Sequence, residues 1–163
     1  MLSPADIHIR RELLPGDLGY IAYVHGLLYA RELGYGLNFE AYVLGGLQEF
    51  ARQYNTEKDR VWICSHEDKI IGFLVGVHRH DTVQFRYFIF LPEYRGIGLG
   101  KVLMNEFITY VKESGCKKAY LWTTNEQQAA ISLYTRYGFK LTEEKKSYAF
   151  DKELTELRYD LEL

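Results

Sequence analysis

The sequence predicts an α/β fold with helices packed on a twisted sheet. Three observations carry that reading. Short apolar runs rich in aromatic and β-branched residues recur along the chain, among them Val61-Trp62-Ile63-Cys64, Ile70 to Val77 and Val83 to Phe90. Other segments space their apolar residues by three and four, most clearly Leu99, Val102, Leu103, Phe107, Tyr110 and Val111. The strand-like run ending at Phe90 meets that helix through a turn with glycine at alternate positions, Gly96, Gly98 and Gly100.

Taken in order, Ile7 to Leu14 alternate weakly and end at Pro15-Gly16, a first strand with a turn behind it. Asp17 is placed to cap the next helix, whose apolar face of Ile21, Val24, His25, Leu28 and Leu33 ends near Gly34. Asn38 reads as the cap of a second helix, Phe39 to Tyr54, which contains Gly45-Gly46. Each of those glycines costs about 1 kcal/mol against alanine. Either a neighbouring element packs closely there or the helix bends. Arg60 to His66 and Ile70 to Val77 form a hairpin around Glu67-Asp68-Lys69, and Val83 to Phe90 follows a turn at Asp81-Thr82. The third helix stops at Ser114-Gly115, and Lys118 to Thr123 is the next strand. The strand–helix–strand unit from residue 83 to 123 predicts a right-handed crossover joining parallel strands. A fourth helix spans Glu126 to Tyr137, Phe139 to Lys146 returns as a strand, and Thr155 to Leu163 alternates as a half-exposed antiparallel strand. No repeat or linker interrupts this order, so residues 1–163 read as one domain.

Composition narrows the function. Charged residues make up 26% with a net charge of −2 and both signs interleaved, which argues against a nucleic-acid surface. No apolar run is long enough to span a bilayer, and the N-terminus has no signal-peptide pattern. Cys64 and Cys116 lack metal or redox spacing and are expected as free thiols in a cytoplasmic protein, with Cys64 inert in its apolar run. Fourteen tyrosines are many for this length, and some are expected to line a cleft rather than fill the core.

The glycine turn carries the chemistry. Strand, turn and helix together aim unpaired N–H groups and a positive helix end at an anion, with Arg95 and Lys101 alongside. A Walker A loop fails, because Gly100-Lys101 is followed by Val102 and Arg95 stands where the first glycine belongs. The dinucleotide pattern fails because position 101 is not glycine. What remains is Arg-x-x-Gly-x-Gly from Arg95 to Gly100, which resembles the pyrophosphate loop of the GNAT superfamily of N-acetyltransferases. A second stretch, Ala130-Ile131-Ser132-Leu133-Tyr134-Thr135-Arg136-Tyr137-Gly138-Phe139, is similar to that superfamily's A-x-x-L-Y-x-x-x-G-F signature. A wider similarity runs through His25-Gly26-Leu27-Leu28-Tyr29-Ala30-Arg31-Glu32, Leu121-Trp122-Thr123-Thr124, Leu141 to Lys145 and Arg158-Tyr159-Asp160-Leu161. It resembles the acetyltransferase half of bacterial proteins that join a MarR-type DNA-binding domain to a GNAT domain, here as a stand-alone unit.

The resemblance implies a mixed, mostly antiparallel sheet of about seven strands and about four helices, with a parallel central pair splayed at its C-terminal ends. It implies acetyl-CoA as co-substrate, no metal, and direct attack of a primary amine in a ternary complex. The cofactor arm would follow the main chain of Phe88, Ile89 and Phe90. The pyrophosphate would meet Arg95, Gly96, Ile97, Gly98, Leu99, Gly100 and Lys101. Tyr134 would be the general acid for the thiolate. The asparagine common seven residues before that tyrosine is Gln127 here, with Asn125 nearby, and either amide is a candidate for the cofactor arm. Glu32 leads the candidate bases, with Tyr29 beside it on a helix expected to help form the acceptor pocket; His25, His78 and His80 follow. Arg86, a charge inside an aromatic strand, is a candidate for an acceptor carboxylate. The acceptor is expected to be an amine-bearing small molecule or peptide, with no nucleic acid or membrane partner, and a homodimer is in keeping with the superfamily. The alternatives are a non-catalytic acyl-CoA sensor, another nucleotide binder and a DNA-binding regulator.

Overall fold

A computed structural model describes residues 1–163. Its elements are β1 (His8–Arg10), α1 (Asp17–Leu33), α2 (Leu37–Gln53), β2 (Arg60–His66), β3 (Lys69–Arg79), β4 (Thr82–Phe90), α3 (Leu99–Glu113), β5 (Lys118–Thr124), α4 (Gln128–Arg136), β6 (Lys140–Ser147) and β7 (Leu154–Glu162). The seven strands form one sheet in the order β1-β2-β3-β4-β5-β7-β6, antiparallel everywhere except β4 against β5. This is the expected mixed sheet with one parallel pair and four helices. Trp62, Leu103, Met104 and Phe107 centre the core beneath α3 and α4, and Ile21, Val43, Phe50 and Phe73 centre the core beneath α1 and α2. No helix is long and apolar enough to cross a membrane.

Local details differ from the sequence reading where a distant partner decides. The first strand is only His8–Arg10, because the chain then turns to bring Arg10 to Asp17. Asp17 is not the cap of α1 but its first residue; Gly16, in the left-handed region, precedes it, and the Asp17 carboxylate accepts from the Leu14 N–H and pairs with Arg10 at 2.8 Å. Asn38 lies inside α2, which begins at Leu37, and its own N–H and side-chain amide donate to Asp151. The two tight turns are Glu67-Asp68 and His80-Asp81, each with a left-handed first residue, and the fourth helix starts two residues late at Gln128.

One irregularity sets the shape of the centre. Phe73 and Val75 of β3 face Ile89 and Arg86 of β4, so two steps on β3 span three on β4. The extra residue is a β-bulge at Tyr87-Phe88, and Tyr87 has φ of 56°. A left-handed tyrosine costs about 1–2 kcal/mol, a strain that persists only when its surroundings hold it. A bulge bends its strand and increases its twist. Accordingly β4 stays with β5 only from Thr82 to Gln84, whereas β5 continues its ladder with β7 to Thr124. The bulge also turns two successive side chains, Arg86 and Tyr87, toward α2. That explains Gly46: a Cβ there would lie 2.6 Å from the Arg86 Nη2 and closer still to the Tyr87 hydroxyl, whereas a Cβ at Gly45 would meet nothing within 4 Å. Close packing, rather than a bend, accounts for the second glycine of the pair. Gly45→Ala is therefore expected to stabilise the protein by about 0.5–1 kcal/mol in denaturant titration, and Gly46→Ala to give no gain or a loss.

Candidate active site

The opening between β4 and β5 holds two adjoining cavities. The first is an open groove of about 420 Å³ along the end of β4, between α1, the glycine turn and α4. Phe88, Ile89 and Phe90 form its β4 wall, where the strand has no ladder partner on the β5 side. Gly96 and Gly98 have φ of 78° and 97°, and no atom lies within 4 Å of a Cβ built at Gly96. Glycine is thus required there by backbone conformation, and bare main chain faces the groove. Gly98 precedes α3, whose first N–H groups have no partner within the helix. Arg95 closes one end: its Nε donates to the Phe90 carbonyl at 3.0 Å and its Nη1 pairs with Glu32 at 2.9 Å. A groove of this form fits an anion at the turn and an amide-bearing chain along β4.

The second cavity is a more enclosed cleft of about 110 Å³ on the α1/α2 side of the opening. His25 and Tyr29 come from α1, Phe39 and Tyr42 from α2, Arg86 and Tyr87 from β4, Trp122 and Thr124 from β5, and Glu156 from β7. Tyr134 reaches it from α4, 5% exposed and edge-on to Phe85 at 5.4 Å between ring centroids. Tyr29, Phe88 and Gln127 line both cavities and mark where they join. The Tyr29 hydroxyl donates to the Gln127 Oε1 at 3.2 Å across that junction.

Burial governs the ionisable groups. It pushes the Tyr134 and Tyr29 phenols well above their ordinary range, so both remain protonated donors at neutral pH. Burial also lowers His25 to about 4, with Arg86 acting in the same direction, so its imidazole is neutral. His25 Nδ1 lies 2.8 Å from the Ile21 carbonyl, an acceptor only, which assigns the proton to Nδ1 and leaves a lone pair on Nε2. The Tyr87 hydroxyl and the Thr123 Oγ1 are buried in the cleft wall without hydrogen-bond partners. Leaving such a group unsatisfied costs about 1–3 kcal/mol, which a polar ligand would relieve.

The structure separates the expected site residues. It brings Tyr134, Tyr29, Arg86 and Gln127 together around the cleft, and Phe88, Ile89, Phe90, Arg95, Gly96, Gly98, Leu99 and Gly100 around the groove. Ile97 instead packs on the core, and the exposed Lys101 side chain lies off the groove wall. Asn125 is occupied elsewhere, accepting from the Thr155 N–H at 2.9 Å, whereas Gln127 lines the groove. Glu32 lines the groove, where it pairs with Arg95, and does not line the cleft. His78 approaches the Cys116 sulfur at 3.3 Å and His80 lies in a tight turn, both outside the cleft. Sequence reasoning missed Trp122, Thr124, Phe150 and Glu156. Alternation along β5 could have paired Trp122 with Thr124; Glu156 joins them only through the β5–β7 register.

Residues 28–139 match the model of the acetyltransferase (GNAT) family. The chain belongs to that family. An N-acetyltransferase of Schizosaccharomyces pombe is 29% identical over 146 residues, covering 88% of each chain. An N-acetyltransferase of Methanocaldococcus jannaschii is 27% identical over 99 residues, 56% of this chain and 44% of that one. The match thus spans about half the length of the first curated relatives, 44% of one and 59% of another. Among solved structures, a GNAT family acetyltransferase of Elizabethkingia anophelis with acetyl-CoA bound superposes with a TM-score of 0.66 at 20% identity, covering 97% of this chain and 99% of that one. At that identity the likeness shows the fold. In this GNAT domain the glycine turn is expected to tolerate no side chain at Gly98. Gly98→Ala should weaken acetyl-CoA binding by about tenfold in calorimetry, as the turn relaxes away from its left-handed conformation. Lys101→Ala, which leaves the main chain intact, should change it by less than about threefold.

Proposed function

We propose that this chain transfers the acetyl group of acetyl-CoA to a primary amine by direct attack in a ternary complex. The observation that carries the reading is the joining of the two cavities at Tyr29, Phe88 and Gln127, directly beside Tyr134. One cavity suits the pantetheine arm and pyrophosphate, and the other admits an acceptor from the opposite side. When bound, the cofactor supplies an acetyl thioester at that junction. A sensor that only bound acyl-CoA would need the groove but not the enclosed cleft.

The chain's own groups then divide the work. Main-chain groups freed by the bulge around Phe88 are available to the thioester carbonyl. The acceptor arrives mostly as an ammonium, since such amines have a pKa of about 10.4, and must lose a proton before attack. Glu156, paired with Lys145 at 3.8 Å, is the carboxylate the cleft presents as proton acceptor, whereas burial lowers His25 to about 4 and leaves its Nε2 a hydrogen-bond acceptor rather than a base. Attack forms the new C–N bond and breaks the C–S bond; the nitrogen then gives up a second proton, and one proton ends on sulfur. Tyr134 stays protonated because burial raises its pKa. For the same reason full transfer of its proton to a thiolate of pKa about 8.5 is uphill. Its role is therefore a hydrogen bond to the departing sulfur, which stabilises charge as it develops. Two free thiols, Cys64, which burial pushes to about 12, and Cys116, support a reducing, cytoplasmic setting.

With an amine panel and thiol release as the readout, Tyr134→Phe is expected to lower kcat by about a hundredfold while acetyl-CoA affinity changes little. An unchanged kcat would remove Tyr134 from the chemistry; a panel that releases no thiol despite acetyl-CoA binding would favour the sensor.

A further inference from the structure

The cleft carries an arginine that forms no ion pair. The protein's ion pairs occupy Arg10, Arg11, Arg60, Arg79, Arg95 and Arg158, and Arg86 is not among them. Its guanidinium stands 4.7 Å from the centre of the Tyr87 ring and 6.0 Å from that of Tyr42, within the cleft. Beside it is the buried Tyr87 hydroxyl, which has no hydrogen-bond partner. The two groups are brought to one spot by the bulge and by the missing side chain of Gly46, against which both lie. A planar guanidinium fork and a neutral phenol are donors suited to one carboxylate, and aromatic surroundings strengthen the charge by excluding water.

The rest of the cleft constrains what carries that carboxylate. Arg86 and Phe88 flank Tyr87 in the bulged stretch of β4 and both line the cleft, Phe88 at its junction with the groove. An amine at the junction and a carboxylate at the guanidinium therefore fall within one small cleft, which suits a small amino acid. Phe39, Tyr42, Trp122 and Phe150 supply apolar walls. The volume of about 110 Å³ is below the ~150 Å³ of a cavity that encloses benzene, so the acceptor's enclosed part is small. Glu156 also lines the cleft, where it is paired with Lys145 at 3.8 Å.

We propose that the acetyl acceptor is an amino acid with an apolar side chain, its carboxylate held by Arg86 and the Tyr87 hydroxyl and its amine directed to the Tyr29–Phe88–Gln127 junction. This deepens the acetyl-transfer reading and rests on it for turnover, but not for binding. The test is thiol release from acetyl-CoA with each of the twenty L-amino acids and with the corresponding amides, which keep the amine and lose the carboxylate charge. At least one apolar amino acid is expected to exceed its amide in kcat/KM by about a hundredfold. Arg86→Gln should bring that ratio close to one, and Arg86→Lys, which keeps the charge without the fork, should leave it in between. Calorimetry on the protein loaded with coenzyme A supplies a readout free of chemistry. Binding of the amino acid but not its amide, lost in Arg86→Gln, supports the carboxylate site even if no thiol is released, in which case acetyl transfer alone fails. Amides turned over and bound as well as the acids, or a preference that survives Arg86→Gln, would overturn the proposal.

Discussion

The centre of this protein depends on one extra residue in a strand. Because three steps of β4 match two of β3, Tyr87 is held in a left-handed conformation and the strand swings away from β5 after Gln84. Three consequences follow from that single constraint. The sheet opens where main-chain groups would otherwise pair with each other; Arg86 and Tyr87 are turned to one side; and Tyr134, on α4 beneath the sheet, reaches a cleft on its far face. A regular ladder to the end of β4 would close the opening between β4 and β5. The strain is balanced by packing: Tyr87 is 8% exposed, edge-on to His25 at 5.8 Å, and seated against α2 at Gly46.

Burial governs the ionisable groups around the cleft. Tyr29 and Tyr134 are kept protonated, and His25 is kept neutral, by removal from water rather than by specific charge partners. Arg86 has no carboxylate partner and lies beside two aromatic rings. In contrast, Arg95 at the groove is already committed to Glu32 and to the Phe90 carbonyl, which ties the end of β4 to α1. The two arginines look alike in the sequence and differ in what surrounds them. One braces the groove, and the other forms no ion pair in the cleft.

Much of this was legible from local pattern. The glycine turn, the strand before it and the helix after it are contiguous, so spacing located the turn, and the family resemblance added Phe88 to Phe90. The stretch carrying Tyr134 stood out by resemblance, since its motif is confined to one short helix and the turn behind it. What could not be read depends on non-local register. The bulge is a mismatch between β3 and β4, and nothing in Arg86-Tyr87-Phe88 by itself says that two successive side chains face one way. Glu156 enters the cleft because β7 inserts between β5 and β6, a strand order that local pattern does not reveal. Helix starts were misjudged where distant groups supplied the cap, as Asp151 does for α2. Glu32 was a reasonable base by helix position, and only the fold shows it turned to Arg95.

The most direct test of the account is a crystal structure of the protein with coenzyme A. The account predicts the pyrophosphate on the N–H groups of Gly96 to Lys101, the pantetheine arm paired with the main chain of Phe88 to Phe90, and the sulfur at the Tyr29–Phe88–Gln127 junction within hydrogen-bond reach of the Tyr134 hydroxyl. A cofactor bound outside the opening between β4 and β5, or a sulfur on the far side of the groove from Tyr134, would contradict it.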